Sequence, residues 1–366
     1  MSRRQTSTIV LCLILIALLP TLLAARARGA EVTRDFTFPG GDLRVANLIG
    51  AVEVRQGTGD AFRVTVNVRG DDATADVLKL VQDKGSLEVV FPLEKHHDYV
   101  YPALGHGSRS TFTAHESDPN EKSWLRRTFG LISGQRVTVR GSGKGLEVWA
   151  DLTIEVPRGG SLELRNGFGD VSAADLEADL DLDTDVGAAA VERLRGDLRL
   201  DTGSGGAKVA GVQGDLEIDT GSGEVELRDC DAELAQVDTG SGDVRVQGLR
   251  CRTLKLDTGS GAVTARGVAA DEGTIDTGSG DVELQLDRLG DGRFTLDTGS
   301  GDVELALPAD ASAHIIADTG SGGVESDVPG ARFVKLDDGT RELTLGGGSA
   351  RIRLDTGSGS VVVSRK

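Results

Sequence analysis

Leu254-Lys255-Leu256-Asp257-Thr258-Gly259-Ser260-Gly261-Ala262-Val263-Thr264-Ala265 reads as two short strands around a corner, with apolar side chains alternating on both sides of Asp-Thr-Gly-Ser-Gly. Period-2 alternation gives each strand one buried face. The segment between them has two glycines able to take positive φ, and polar side chains able to hydrogen-bond their own backbone. The pentapeptide recurs with its first residue at Asp201, Asp219, Asp238, Asp257, Asp276, Asp297, Asp318 and Asp355, almost always 18 to 21 residues apart. A unit of that size cannot bury its own apolar face, so identical units stack. The expected fold is all-β: a parallel β-helix, or β-solenoid, of 18–21 residues per coil.

Degenerate corners extend the array at Asn166-Gly167-Phe168-Gly169-Asp170, at Asp183-Thr184-Asp185-Val186-Gly187 and at Asp337-Asp338-Gly339. They bring the count to about eleven coils and the length to ~50 Å at the ordinary strand spacing. Asn47-Leu48-Ile49-Gly50-Ala51 reads as an early divergent coil, so the array starts near residue 40 and resumes after an interruption. The organisation expected is a signal peptide over 1–27, divergent N-terminal β coils over 31–93, an irregular insertion over 94–145 and the solenoid over 146–366.

Stacking identical corners lines up eight aspartates, and like charges so close repel by about 1 kcal/mol per pair even in water. The structural expectation is that each carboxylate accepts hydrogen bonds from the following Gly and Ser amides, as in an Asx turn. The functional alternative is a calcium ladder helped by Glu224, Asp243, Asp281 and Asp302, although the unit lacks the Gly-Gly-x-Gly-x-Asp spacing of calcium-binding β-rolls. Asp-Thr-Gly-Ser is also the motif of pepsin-like proteases, but those need two aspartates meeting across one cleft, and eight in a closely spaced series do not isolate a pair. Gly141-Ser142-Gly143-Lys144-Gly145 fails as a phosphate loop, having Thr138 for the first glycine and Gly145 for the final Ser or Thr. No catalytic residue and no metal site is assigned.

Arg3 and Arg4, the apolar run from Ile9 to Leu19 and Ala25-Arg26-Ala27 form a secretory signal, with an uncleaved anchor as the alternative. The expected location is therefore periplasmic, cell-surface or secreted, with no integral membrane domain after cleavage. Cleavage after Ala27 takes the formal charge from −18 to −21. Such acidity excludes nucleic acid as a ligand and favours cations or basic partners.

Ten of the thirteen aromatic residues lie between Phe36 and Trp149. The insertion also holds His96, His97, His106 and His115, none at a recognised metal-ligand spacing. Long excursions from a repetitive scaffold tend to carry binding function. Tyr99, Tyr101, Trp124, Arg126 and Arg127 are accordingly the candidate contacts for a protein, peptide or glycan at the envelope. Cys230 and Cys251, eight and six residues before the next corner, are expected on neighbouring coils as a disulfide. The last strand, Ser360 to Lys366, has nothing after it; an uncovered coil there would self-associate unless Arg365 and Lys366 act as gatekeepers.

The motif Leu-x-Leu-Asp-Thr-Gly-Ser-Gly-Asp-Val-Glu-Leu, clearest from Phe294 to Leu305, resembles the bacterial β-strand-repeat "putative adhesin" domains, a family of largely unknown function. The likeness covers most of residues 36 to 366. It implies a right-handed parallel β-helix, exported or envelope-associated, with some relatives implicated in envelope-stress or antimicrobial-peptide responses. The expected function is non-enzymatic binding in adhesion or envelope stress. A carbohydrate-active lyase or glycosidase and a calcium-stabilised spacer are the alternatives.

Overall fold

A computed structural model describes residues 31–113, 136–329, 331, 333–336 and 339–366. Among them the only helical element is one 3-10 turn, Pro102–Leu104; the rest of the regular structure is β. Strand neighbours along the stack are parallel and in register, as in Leu198 opposite Leu216, Leu216 opposite Ala235 and Ala235 opposite Leu254.

Alternation does what the sequence suggests. In Val244–Thr258 the side chains of Leu254, Leu256 and Thr258 are buried while Lys255 and Asp257 are exposed. The chain then turns through Gly259-Ser260-Gly261 into Val263–Ala270, which buries Val263 and Ala265, bends at Gly267 and buries Val268 and Ala270. Each coil thus lines a narrow interior from successive sides, and one continuous apolar core runs through the stack. Small aliphatic side chains fill it. Phe294 is an exception among the regular coils, and its ring spreads into the space left by Gly273 on the preceding rung.

The glycines of the pentapeptide are needed for a different reason from the one expected. None of them takes a positive φ. They are required because neighbouring corners almost touch: a Cβ on Gly261 would lie 1.9 Å from the Gly242 carbonyl oxygen, and one on Gly242 would lie 1.8 Å from that of Gly223. Left-handed backbone occurs at the second bend instead, at Asp175, Arg193, Gly211, Asp229, Gly248 and Gly267, with φ between 51° and 69°. Asp175 and Arg193, neighbours at that bend, are joined by an ion pair of 2.6 Å.

Asn47 belongs to the first rung, since Asp42–Ile49 lies beside Gly160–Phe168. Between these two rungs the chain makes its long excursion. Val32–Pro39, Ala61–Arg69 and Trp149–Val156 run antiparallel over that end, and Lys79–Asp83 with Ser86–Val90 forms a hairpin against the first rung. Part of the expected irregular insertion is ordered as a separate small sheet of Asp98–Val100, Arg109–Thr113 and Arg136–Arg140.

At the other end the order of strands departs from the order of the chain. Ala350–Thr356 pairs on one side with Arg293–Thr298 and on the other with Ala313–Thr319. Val361–Arg365 likewise lies between Val303–Leu307 and Val324–Ser326. The open final coil expected from the sequence is therefore an interior rung, both of its edges occupied, and offers no free edge for self-association. Residues 337–338, where a further corner was expected, lie outside the described residues; after them Thr340–Leu345 runs antiparallel to Ala313–Thr319 and caps the stack. Among the described residues the stack has eleven rungs, the first of them at Asn47.

Cys230 and Cys251 are free and buried. Cys230 lies opposite Leu249 and Ala232 opposite Cys251, so the two thiols sit in different rows two residues apart. One rung and two residues of offset separate their Cα atoms by ~8 Å, too far to bridge. Burial raises both thiols, that of Cys251 to about 12.

Candidate functional site

The stacked corners expose one row of carboxylates and hide one row of hydroxyls. Going inward, Thr184, Thr202, Thr220, Thr239, Thr258, Thr277, Thr298, Thr356 and Thr319 are all buried, preceded by Asn47 and Asn166. In the middle of the stack the threonine ties neighbouring corners together, whereas Thr202, Thr220 and Thr319 donate to the glycine carbonyl of their own corner: Thr258 Oγ1 donates to the Gly242 carbonyl at 2.9 Å and accepts from the Gly261 amide at 3.1 Å. Thr277, Thr298 and Thr356 repeat the pattern. Asn166 does similar work at the divergent end, its amide bonding the Gly50 and Gly169 carbonyls.

Going outward, Asp183, Asp201, Asp219, Asp238, Asp257, Asp276, Asp297, Asp355 and Asp318 are successive register partners. All eight pentapeptide aspartates stand in this row, at the strand spacing of about 4.8 Å. The expected Asx turn is not what holds them. Amides of Gly221, Gly240, Gly259, Gly278 and Gly299 donate to the threonine carbonyl of the preceding rung, which removes the Gly donor such a turn needs.

Other carboxylates take on the capping. Asp179 accepts from the Asp197 amide, Asp197 from Asp215, Asp243 from Ala262, Asp281 from Asp302 and Asp302 from Ser360. Asp243, Asp281 and Asp302, three of the residues considered for a calcium ladder, are thus bonded to backbone amides. Glu224, the fourth, pairs with Arg245. A third group of acids is neutralised by arginines one rung away: Asp231 with Arg250, Glu233 with Arg252, and Asp271 with Arg288.

What remains is the row itself. Arg165 holds Asp183 at one end, Arg353 pairs with Asp355, and Thr340 bonds Asp318. In the middle, Asp238, Asp257 and Asp276 make no hydrogen bond or ion pair among the described residues, and all three are exposed. Desolvation, then the charges of Asp238 and Asp276, push the Asp257 carboxyl above its usual range. Asp297 is raised by desolvation and then by the charges of Asp276 and Asp355. Asp183, largely buried, is pushed up to about 7 by desolvation against the pull of Arg165. Such a row can attract and line up positive charge.

Two of the aromatic candidates of the insertion, Tyr99 and Tyr101, turn out to be structural. Tyr99 is fully buried, packs its ring edge-on against Phe91 at 5.7 Å and donates its hydroxyl to the His96 carbonyl. Tyr101 is buried against Trp149. Neither can contact a partner. Trp124, Arg126, Arg127 and His115 lie outside the described residues. His96, His97 and His106 are exposed, and Asp98 pairs with Arg140 at 2.9 Å. Among the described residues no three His, Cys, Asp or Glu side chains converge as a metal site, and no helix is long and apolar enough to cross a membrane.

Sequence reasoning placed the aspartate row and missed the threonine row. Its signal was present, since Leu256 inward and Asp257 outward put Thr258 inward by simple alternation.

Residues 149–364 match the family described as Toastrack DUF4097. The chain is also similar to solved structures. One is described as a putative adhesin from Bacteroides fragilis, 12% identical, covering 92% of this chain and 97% of that one with a TM-score of 0.35. Another, a putative adhesin from Parabacteroides distasonis, is 11% identical with the same coverage and a TM-score of 0.36. A third, described as a putative lipid binding protein from Parabacteroides distasonis, is 11% identical, again covers 92% and 97%, and has a TM-score of 0.31. Among curated proteins none matches.

Proposed function

This chain belongs to the Toastrack DUF4097 family, and from that premise we propose that it is an exported binding protein of the cell envelope or surface, without enzymatic chemistry. Its aspartate row engages a cationic partner in adhesion or in the response to envelope stress. The observation that carries this reading is the contrast between carboxylates. Most acids on the coils are used by amides or arginines, whereas Asp238, Asp257 and Asp276 stand open in line. A rigid row of charges at strand spacing suits a partner that presents repeated ammonium or guanidinium groups. Repetition also supports binding over catalysis, because a series of like carboxylates does not single out one pair for separate acid and base roles.

Export is supported by the basic and apolar residues between Arg3 and Ala27. The right-handed winding and the coil of 18–21 residues belong to the same reading. Partners such as Leu198 with Leu216 and Gly273 with Phe294 support the coil size.

Binding of the purified protein to oligolysine tests the proposal. The expected affinity falls steeply with salt, and the variant Asp238→Asn/Asp257→Asn/Asp276→Asn loses at least about tenfold, equivalent to ~1.4 kcal/mol. Equal affinity in the variant would move recognition elsewhere on the molecule.

A further inference from the structure

The rung made of Ala350–Thr356 and Val361–Arg365 lies out of chain order, between a rung that precedes it by nearly sixty residues and the cap that immediately precedes it. Among the described residues it is the sole sheet neighbour joining stack to cap. Ala313–Thr319 otherwise pairs only with Thr340–Leu345, and Val324–Ser326 pairs only with Val361–Arg365. Its sequence repeats that of its neighbours position for position: Ile352 faces Phe294 and Ile315, and Thr356 faces Thr298 and Thr319.

The chain reaches this rung through Gly346-Gly347-Gly348-Ser349, in which Gly346 and Gly348 adopt φ of 56° and 69°. Leu345 and Ala350 both lie opposite Ala313, on its two edges. Four residues therefore carry the chain around the root of that strand, where Ser349 bonds Ser312. The rung is also basic within an acidic molecule. Arg351, Arg353, Arg365 and Lys366 outnumber Asp355, and Lys366 reaches Asp287 on the stack at 2.7 Å.

We propose that the slot between Arg293–Leu307 and the cap is an exchange site, which accepts the same rung from a second copy of this chain and so produces a reciprocally swapped dimer. A rung supplied in trans makes every ladder bond and apolar contact of the rung in cis, so only the hinge distinguishes the two states. Tight hinges favour the swapped form. In a molecule whose rung has not entered, the stack edge at Arg293–Leu307 and the cap edge at Ala313–Thr319 both stand unpaired, and the rung of a second copy fits between them as the native one does. This differs from pairing at a free edge, because the native rung has none.

The test uses the full chain in two differently tagged forms. Warmed together below the melting transition, they should yield mixed dimers that survive cooling. Thr295 and Arg353 face one another across adjacent rungs. A Thr295→Cys/Arg353→Cys variant, oxidised as a monomer, should form no mixed dimers and regain them on reduction. Deleting Gly347 and Gly348 leaves a link too short to round Ser312, and should convert monomer to dimer by light scattering. The proposal fails if wild-type copies never mix at any temperature below melting, or if the oxidised variant mixes as fast as wild type. It also fails if the deletion variant folds and stays monomeric. Should that variant not fold, the first two comparisons decide alone.

Discussion

Within the pentapeptide each position has a separate task, and substitution in one copy should show it. Thr258→Val keeps the shape but strands the Gly242 carbonyl and Gly261 amide, and should cost about 1–3 kcal/mol. Gly261→Ala puts a methyl group against the Gly242 carbonyl and should cost about 3 kcal/mol or more. Ser260→Ala, at an exposed position, should stay within about 0.5 kcal/mol. Asp257→Asn should stabilise slightly at neutral pH, since its neighbours disfavour the ionised form. Urea denaturation of the four variants checks the order, and a loss for Asp257→Asn would contradict the repulsion argument. The repeat made these residues visible, but not the reason for the glycines. Positive φ is a property of one coil; contact between corners appears only when two are stacked.

Strands were legible because alternation is local; their spatial order was not, because nothing in the sequence of Ala350–Thr356 distinguishes a last rung from an inserted one. The tyrosines were misread for a related cause. An excursion with prolines and histidines looks like surface, yet it folds a small sheet of its own and needs large rings to fill it. Packing between rungs makes a testable pair at Phe294 and Gly273. Phe294→Leu leaves a void, and Gly273→Ala should recover part of the loss in that background while destabilising the wild type, where its methyl group meets the ring at 3.1 Å. A double-mutant cycle should give a coupling of about 1 kcal/mol or more. Additive effects would mean that the ring does not occupy that space.

For the whole molecule, the sum of charge was readable and its arrangement was not. Composition gave net acidity, while only the strand register separates acids that cap amides from those left in line. Asp183, Asp257 and Asp297 all bind protons more readily folded than unfolded. Their ionisation therefore opposes folding, fully above about pH 7 for Asp183, and the opposition fades as pH falls toward the ordinary carboxylate value. Thermal melts should accordingly rise from pH 8 to pH 5; a decline over that interval would contradict the shifts. The inserted rung has one more consequence, which concerns time. A chain made from its N-terminal end can stack rung upon rung as it emerges, through Arg293–Thr298. The cap, although synthesised next, has no seat until residues 350–365 have followed it. A product broken off before them would carry two unpaired sheet edges facing an empty gap, so the last rung serves as a check that synthesis has run through to it.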